Sequence, residues 1–346
     1  DIFDENGNKV PAQMYEKLNG EKKLVFIAKD IPAVGYKVYY KAPAEKAHRY
    51  DESNGKKIEN DRFKLVLDDN ATLVSIYDKA NGREVLSQGG KGNDFRLFED
   101  MPGGYDAWDI VATYVDREYE LKDGVVKDIV SGDVYTMISI EKEVLKSVIH
   151  QNILIYNDLD RIDFDTNVSW HEDQKLLKVF FDVDLQTKTY TRDIAYATME
   201  CCSYRYNPYD KAKFEVNAHN WIDMSDEDYG VSLLNDCKYG HEVNEHKMIL
   251  TLLKAPIKPD PTSDRGEHYF TYSLYPHAGT WKKADTLTRG LEINNPVVPV
   301  AVESGAAGEK TGSFITLDCD NITLEAVKKC EEEDAYIIRM VEKTGR

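Results

Sequence analysis

The chain has 346 residues, with 44 Lys and Arg against 62 Asp and Glu, a net charge of −18 and an isoelectric point near 4.9. Such an acid excess argues against nucleic acid and anionic membrane as partners, because both require a basic surface, and no apolar run approaches the ~20 residues that cross a bilayer. Five Cys, an odd number with no C-x-x-C spacing, argue against a disulfide scaffold and fit free thiols in the cytoplasm.

The 22 Tyr, 11 Phe and 4 Trp, with turn residues between short apolar runs, point to β structure. The opening Asp1–Gly7 has no initiator Met and no signal-like apolar stretch, and reads as the interior of a longer polypeptide. Candidate strands follow at Leu24–Ala28, Gly35–Lys41, Phe63–Leu67, Leu73–Tyr77, Asp94–Phe98, Tyr135–Val144 and Val148–Tyr156. The alternation is cleanest next. Ile162, Phe164, Thr166, Val168 and Trp170 share one parity, and Leu177, Val179, Phe181, Val183 and Leu185 repeat the pattern against Lys178, Asp182 and Asp184. A period of two puts each apolar row on one sheet face. The polar link between them predicts that the two stretches form an antiparallel hairpin. Further strands are expected at Ile194–Cys202, Val231–Leu234, Met248–Leu253 and Tyr269–Leu274, and one helix at Lys282–Ile293.

Two stretches without periodicity, Lys41–Asn54 and Asn294–Gly312, mark boundaries. They divide an all-β chain into a large antiparallel supersandwich at 47–296, a partial small β-sandwich module at 1–46 and a partial β module at 297–346. Strands in regular succession without interleaved helices imply stacked sheets, not a parallel α/β sheet.

No nucleophile elbow, P-loop or dinucleotide fingerprint occurs. His241 and His246 have no metal-ligand spacing and read as loop histidines. His219, His268 and His277 read as structural, and the acidic run Asp223, Asp226, Glu227 and Asp228 as a solvated loop. The segments that point to chemistry mix aromatic and polar residues without strand period. Pro102–Asp109 brings Tyr105 and Trp108 together with Asp106 and Asp109, a pattern suited to a sugar: rings lie on pyranose C–H faces while carboxylates accept from hydroxyls. Asn235, Asp236 and Lys238 end an apolar run in the same way.

These segments resemble the C-terminal β region of glycoside hydrolase family 38, the retaining, zinc-dependent α-mannosidases, in its cytosolic and bacterial branch. The resemblance rests on blocks in order: YDAWD at 105–109, FEVNAHNWIDMS at 214–225, YGVSLLNDCKYG at 229–240, LLKAP at 252–256 with PDP at 259–261, GEHYFTY at 266–272 and YPHAG at 275–279. It implies a galactose-mutarotase-like supersandwich. It also implies that the catalytic barrel, with its Asp nucleophile and a zinc held by two Asp and two His, belongs to an N-terminal half absent from this sequence. No cofactor is therefore expected in the present chain. The implied partners are that catalytic half and mannose-containing glycans. The resemblance makes Tyr105, Asp106, Trp108, Asp109, Asn235, Asp236 and Lys238 rim contacts of the substrate cleft, with no catalytic or metal-binding residue among them. The surface facing the catalytic half should be apolar or aromatic and could pair copies of the chain. Two other functions remain to be weighed: a free-standing carbohydrate-binding module, and a mutarotase-type enzyme using His219 or His268 with Glu215.

Overall fold

The structure, a computed structural model, describes residues 1–44, 51–53, 55–121, 124–303 and 308–345. The expected boundary at residues 46–47 lies outside the described residues, as does part of the second, at 304–307.

Two large sheets carry the fold, and every pairing in them is antiparallel. Among the described residues the larger has ten strands. Its order is Ala197–Cys202, Thr189–Ile194, Trp221–Ser225, Tyr229–Asn235, Gly266–Ala278, Ile162–Trp170, Ser147–Tyr156, Tyr135–Val144, Gly124–Ser131 and Asp51–Ser53. The smaller has six: Glu118–Tyr119, Asp94–Glu99, Lys175–Asp182, Lys247–Lys254, Gly240–Asn244 and Val216–Asn217. One continuous apolar cluster lies between them and extends under a four-stranded sheet built on Phe63–Leu67 and Leu73–Asp78. This is the all-β supersandwich the sequence implies.

The expected hairpin of the two alternating stretches does not form. Ile162–Trp170 pairs with Ser147–Tyr156 and Gly266–Ala278 in the larger sheet. Lys175–Asp182 pairs with Asp94–Glu99 and Lys247–Lys254 in the smaller. The link at 171–174 therefore crosses from one sheet to the other. Two apolar rows gain more by covering each other than by lying side by side on one face, and Phe164 meets Phe181 across the core at 5.6 Å between ring centroids.

Other differences are local. Ile194–Cys202 is the second half of a hairpin, Thr189–Ile194 with Ala197–Cys202, turned at Tyr196 with φ +60°. Gly35–Lys41 divides into Gly35–Lys37 and Tyr40–Lys41, which join different sheets. Gly35–Lys37 pairs with Thr311–Ser313, so the two ends of the chain meet, and a side chain at Gly35 would strike Gly312 O. The helix runs Thr286–Asn294 and presses Gly290 onto Trp221, where a Cβ would sit 2.8 Å from the indole.

Inside the sandwich a polar network is closed on itself. Gln151 Nε2 donates to Tyr272 OH at 2.8 Å and to Thr166 Oγ1 at 2.9 Å, Tyr272 OH donates to Asn93 Oδ1, and Asn93 Nδ2 donates to Gln151 Oε1 at 2.7 Å. Gln151 and Asn93 come from opposite sides of the core, so the network fixes how the layers sit on one another. The Tyr272→Phe variant removes one hydroxyl and leaves Asn93 Oδ1 without its donor. We expect it to lose about 1–3 kcal/mol of unfolding free energy, read by urea denaturation.

Candidate functional site

Asp94–Glu99 is followed by a loop at 100–113 that leaves the edge of the smaller sheet. Its conformation comes from two buried carboxylates. Asp100 pairs with Lys254 at the end of Lys247–Lys254 and accepts from Val111 N–H at 2.9 Å. Asp106 Oδ2 accepts from Ile257 N–H at 2.8 Å, and the residue is 4% exposed. Between these anchors the backbone turns at Tyr105, whose φ is +52°, and Tyr105 O accepts from Trp108 N–H and Asp109 N–H at 2.8 and 2.9 Å. A bulky residue in the left-handed region is uncommon and is kept there by its surroundings. The turn sets Tyr105 77% and Trp108 71% exposed, with Asp109 exposed beside them. Trp108 therefore does not fill the core. It is displayed.

The second group divides by role. Asn235 is fully buried: its Nδ2 donates to His219 O at 2.9 Å and its Oδ1 accepts from Lys238 N–H at 2.7 Å. Asp236 accepts from Thr271 N–H at 2.9 Å. Both hold the strand end in shape. Lys238 is half-buried, with its Nζ 4.4 Å from the Phe270 ring centroid and its pKa lowered by burial. Burial raises the carboxyl of Asp264, which lies within electrostatic reach of both Lys238 and Lys254. Lys254, at the start of the 254–264 segment, pairs with Asp100 at the base of the aromatic loop.

Sequence reasoning missed what supports this loop. Lys178 sits on the polar parity of its strand, yet it is fully buried. Its Nζ lies 2.6 Å from Glu215 and 3.2 Å from Glu242, and 4.6 Å from the ring of Tyr114, whose hydroxyl donates to Glu242 at 2.7 Å. Arg205 also pairs with Glu242, and Thr251 Oγ1 donates to Glu215 at 2.6 Å. Burial alone would lower the Lys178 pKa, but the two carboxylates outweigh it and raise it. The outer face of the smaller sheet is thus covered by the 100–117 and 203–215 segments, over an ionic cluster ringed by Phe98, Tyr114, Phe180 and Phe214. The signals for this were an interior Lys in a strand of large apolar residues and the Arg205 and Glu215 segments, whose aromatic neighbours suit a covered ion pair.

The histidines need correction. His241 lies on the buried strand Gly240–Asn244, not in a loop, because the parity that sends Val243 to the core sends His241 there too. Asp223 is not solvated: its Oδ2 is 2.8 Å from His277 Nε2 and accepts from Ser232 at 2.6 Å. Glu215 is held by Lys178, His268 Nε2 contacts Asp264 O at 2.6 Å, and the rings of His219 and Tyr239 meet at 6.0 Å. Neither nominated histidine hydrogen-bonds Glu215. Among the described residues no group of three or more His, Cys, Asp or Glu is placed to hold a metal, and no helix is long and apolar enough to cross a membrane.

The profile of the glycosyl hydrolases family 38 C-terminal domain matches residues 58–262. The chain belongs to this family. It is 32% identical over 313 residues to alpha-mannosidase G of Dictyostelium discoideum, covering 88% of this chain and 29% of that protein. It is 31% identical over 297 residues to alpha-mannosidase 2C1 of Homo sapiens, covering 83% and 28%. An alpha-mannosidase from Enterococcus faecalis V583 shares the fold at a TM-score of 0.78 and 13% identity, over 99% of this chain and 45% of that one. The chain thus spans about three-tenths of the length of the curated family 38 relatives it matches.

Two predictions follow from the buried charges. Lys178→Met leaves Glu215 and Glu242 buried without their common cation and should cost about 3–5 kcal/mol, measured by denaturant unfolding. Burial lowers the pKa of His241 from 6.5 to about 4. Between those values the unfolded chain takes up a proton that the folded chain refuses. Its contribution is therefore complete above pH 6.5 and shrinks as pH falls, by about 2–3 kcal/mol between pH 7 and 4.5. In His241→Leu that part of the acid loss should vanish from the difference in unfolding free energy between the two pH values.

Proposed function

We propose that the chain is the non-catalytic C-terminal β portion of an α-mannosidase that hydrolyses terminal α-D-mannosides. In this reading the sandwich braces the catalytic portion and forms one side of the substrate cleft. The nucleophile and the zinc that a retaining family 38 enzyme uses would be held by residues outside this chain. A bound zinc would supply Lewis-acid chemistry there, and no step runs through the residues described here. The observation that carries the reading is the display of Tyr105 and Trp108 on a loop fastened by two buried carboxylates. Exposed rings on a rigid support orient a sugar at low entropic cost. Asp109 would accept from sugar hydroxyls, and Lys238 would donate to them from the neighbouring strand end. Five cysteines without disulfide partners support a cytoplasmic setting.

The test uses this chain joined to the residues that precede it in its own reading frame. Trp108→Ala in that polypeptide should lower kcat/KM for an aryl α-mannoside by 10-fold or more, mainly through KM if the ring binds ground and transition states alike. An unchanged kcat/KM for both Trp108→Ala and Tyr105→Ala would remove the loop from the cleft. The chain by itself should show no turnover of the same substrate, and measurable hydrolysis by it would refute the non-catalytic assignment.

A further inference from the structure

Four valines and two prolines lie in the open after the helix Thr286–Asn294. Pro296-Val297-Val298-Pro299-Val300-Ala301-Val302 carries no polar side chain, in a chain of which 31% is charged. Val297, Val298, Val300 and Val302 are 64 to 77% exposed. Soluble proteins seldom leave such a run uncovered, and where they do it marks a contact. Both ends of the segment are held. Asn295 N–H donates to Leu291 O at 2.7 Å, and Asn294 Nδ2 donates to Gly290 O and to Asn235 O, both at 2.9 Å. The segment therefore leaves the sandwich at the strand end that carries Asn235, Asp236 and Lys238. Beyond it, Lys310 O accepts from Val38 N–H at 2.8 Å, and Thr311–Ser313 pairs with Gly35–Lys37.

The composition decides what can cover it. Burying the valines also takes the N–H groups of Val297, Val298, Val300, Ala301 and Val302 out of water, and among the described residues none of these has a hydrogen-bond partner. No side chain in the segment can serve them. An apolar groove would leave them unpaired, which is costly, whereas the free edge of a β-sheet pairs them. The prolines fix which side pairs. Each holds its own φ near −65° and pushes the preceding residue towards an extended conformation. In an extended chain successive N–H groups point to opposite sides. Val298, Val300 and Val302 then share one side on which every donor is present. On the other side Pro299 interrupts Val297 and Ala301. The same parity sets the side chains of Val298, Val300 and Val302 on one face.

The net charge of −18 disfavours a second copy as the partner, because two such chains repel. The chain spans only 29% and 28% of the alpha-mannosidases of Dictyostelium discoideum and Homo sapiens, so most of a polypeptide of that length lies outside it. We propose that Val298–Val302 adds as an edge strand to a β-sheet in that outside part, pairing through Val298, Val300 and Val302 on one side alone. That the partner belongs to the same polypeptide rests on the reading of this chain as one portion of an α-mannosidase.

The experiment is residue-resolved hydrogen–deuterium exchange on the full polypeptide of its reading frame and on this chain alone. In the full polypeptide we expect the amides of Val298, Val300 and Val302 to exchange about 100-fold or more slower than in the chain alone, with Val297 and Ala301 exchanging freely in both. Val300→Pro removes a donor from the pairing side and should cut the protection of Val298 and Val302 by roughly 10-fold or more. Ala301→Pro, on the side already interrupted, should leave it unchanged. Matching unfolding curves show that the variants are folded. Free exchange across 297–302 in the full polypeptide overturns the proposal, as does protection that survives Val300→Pro. Protection that appears in the chain alone and rises with its concentration puts a second copy on the segment and overturns the assigned partner. Turnover of an aryl α-mannoside by a full polypeptide whose 297–302 amides exchange freely removes this contact and keeps the α-mannosidase reading. Protected amides without turnover do the reverse.

Discussion

Two carboxylates hold the aromatic loop in place. Asp100 and Asp106 both reach from the loop after Asp94–Glu99 to the end of Lys247–Lys254 and the residues beyond it. Because Asp106 gives an oxygen to a backbone N–H, the loop is anchored to main chain, which does not change rotamer. A loop so fastened can leave two large aromatic rings in solvent without collapsing onto the sheet. Asp264, further along the segment beyond Lys254, lies within electrostatic reach of both Lys254 and Lys238.

The sandwich gives this loop a stiff support. Its faces are locked inside by the Gln151, Tyr272 and Asn93 network and outside by Lys178 with Glu215 and Glu242. Buried ion clusters are seldom net stabilising compared with apolar packing, but they permit few alternative arrangements. Here the cluster ties three strands of the smaller sheet to the covering segments, among them the 3-10 turn that carries Tyr114. The aromatic loop is thereby tied to interactions that cannot shift without exposing charge to an apolar interior.

Much of this was legible in the residues, and the reasons for the rest are physical. Period-two alternation located Tyr135–Val144 and Phe63–Leu67 to the residue, because each has one face on the core. It could not say which strands pair, since Ile162–Trp170 and Lys175–Asp182 carry the same signal whether they lie side by side or face to face. Parity also failed for Lys178, because a polar face means water only when nothing covers it. In the aromatic loop, the mixture of rings and carboxylates in 102–109 marked Tyr105 and Trp108. Their exposure depends on partners such as Ile257, about 150 residues away in the chain, and no local pattern records a partner so distant. Asn235 and Asp236 were legible as a strand end, but their side chains turn to backbone groups, which only the fold reveals.

Membership of family 38 and the two-sheet architecture stand apart from the proposal that this loop meets substrate. The most direct measurement of that proposal is a crystal structure of the longer polypeptide with a mannose-derived inhibitor bound. The account predicts the Trp108 or Tyr105 ring in van der Waals contact with the sugar, at about 4 Å, with the Asp106 to Ile257 hydrogen bond intact. An inhibitor enclosed wholly by other parts of the polypeptide, with both rings facing bulk solvent, would contradict it.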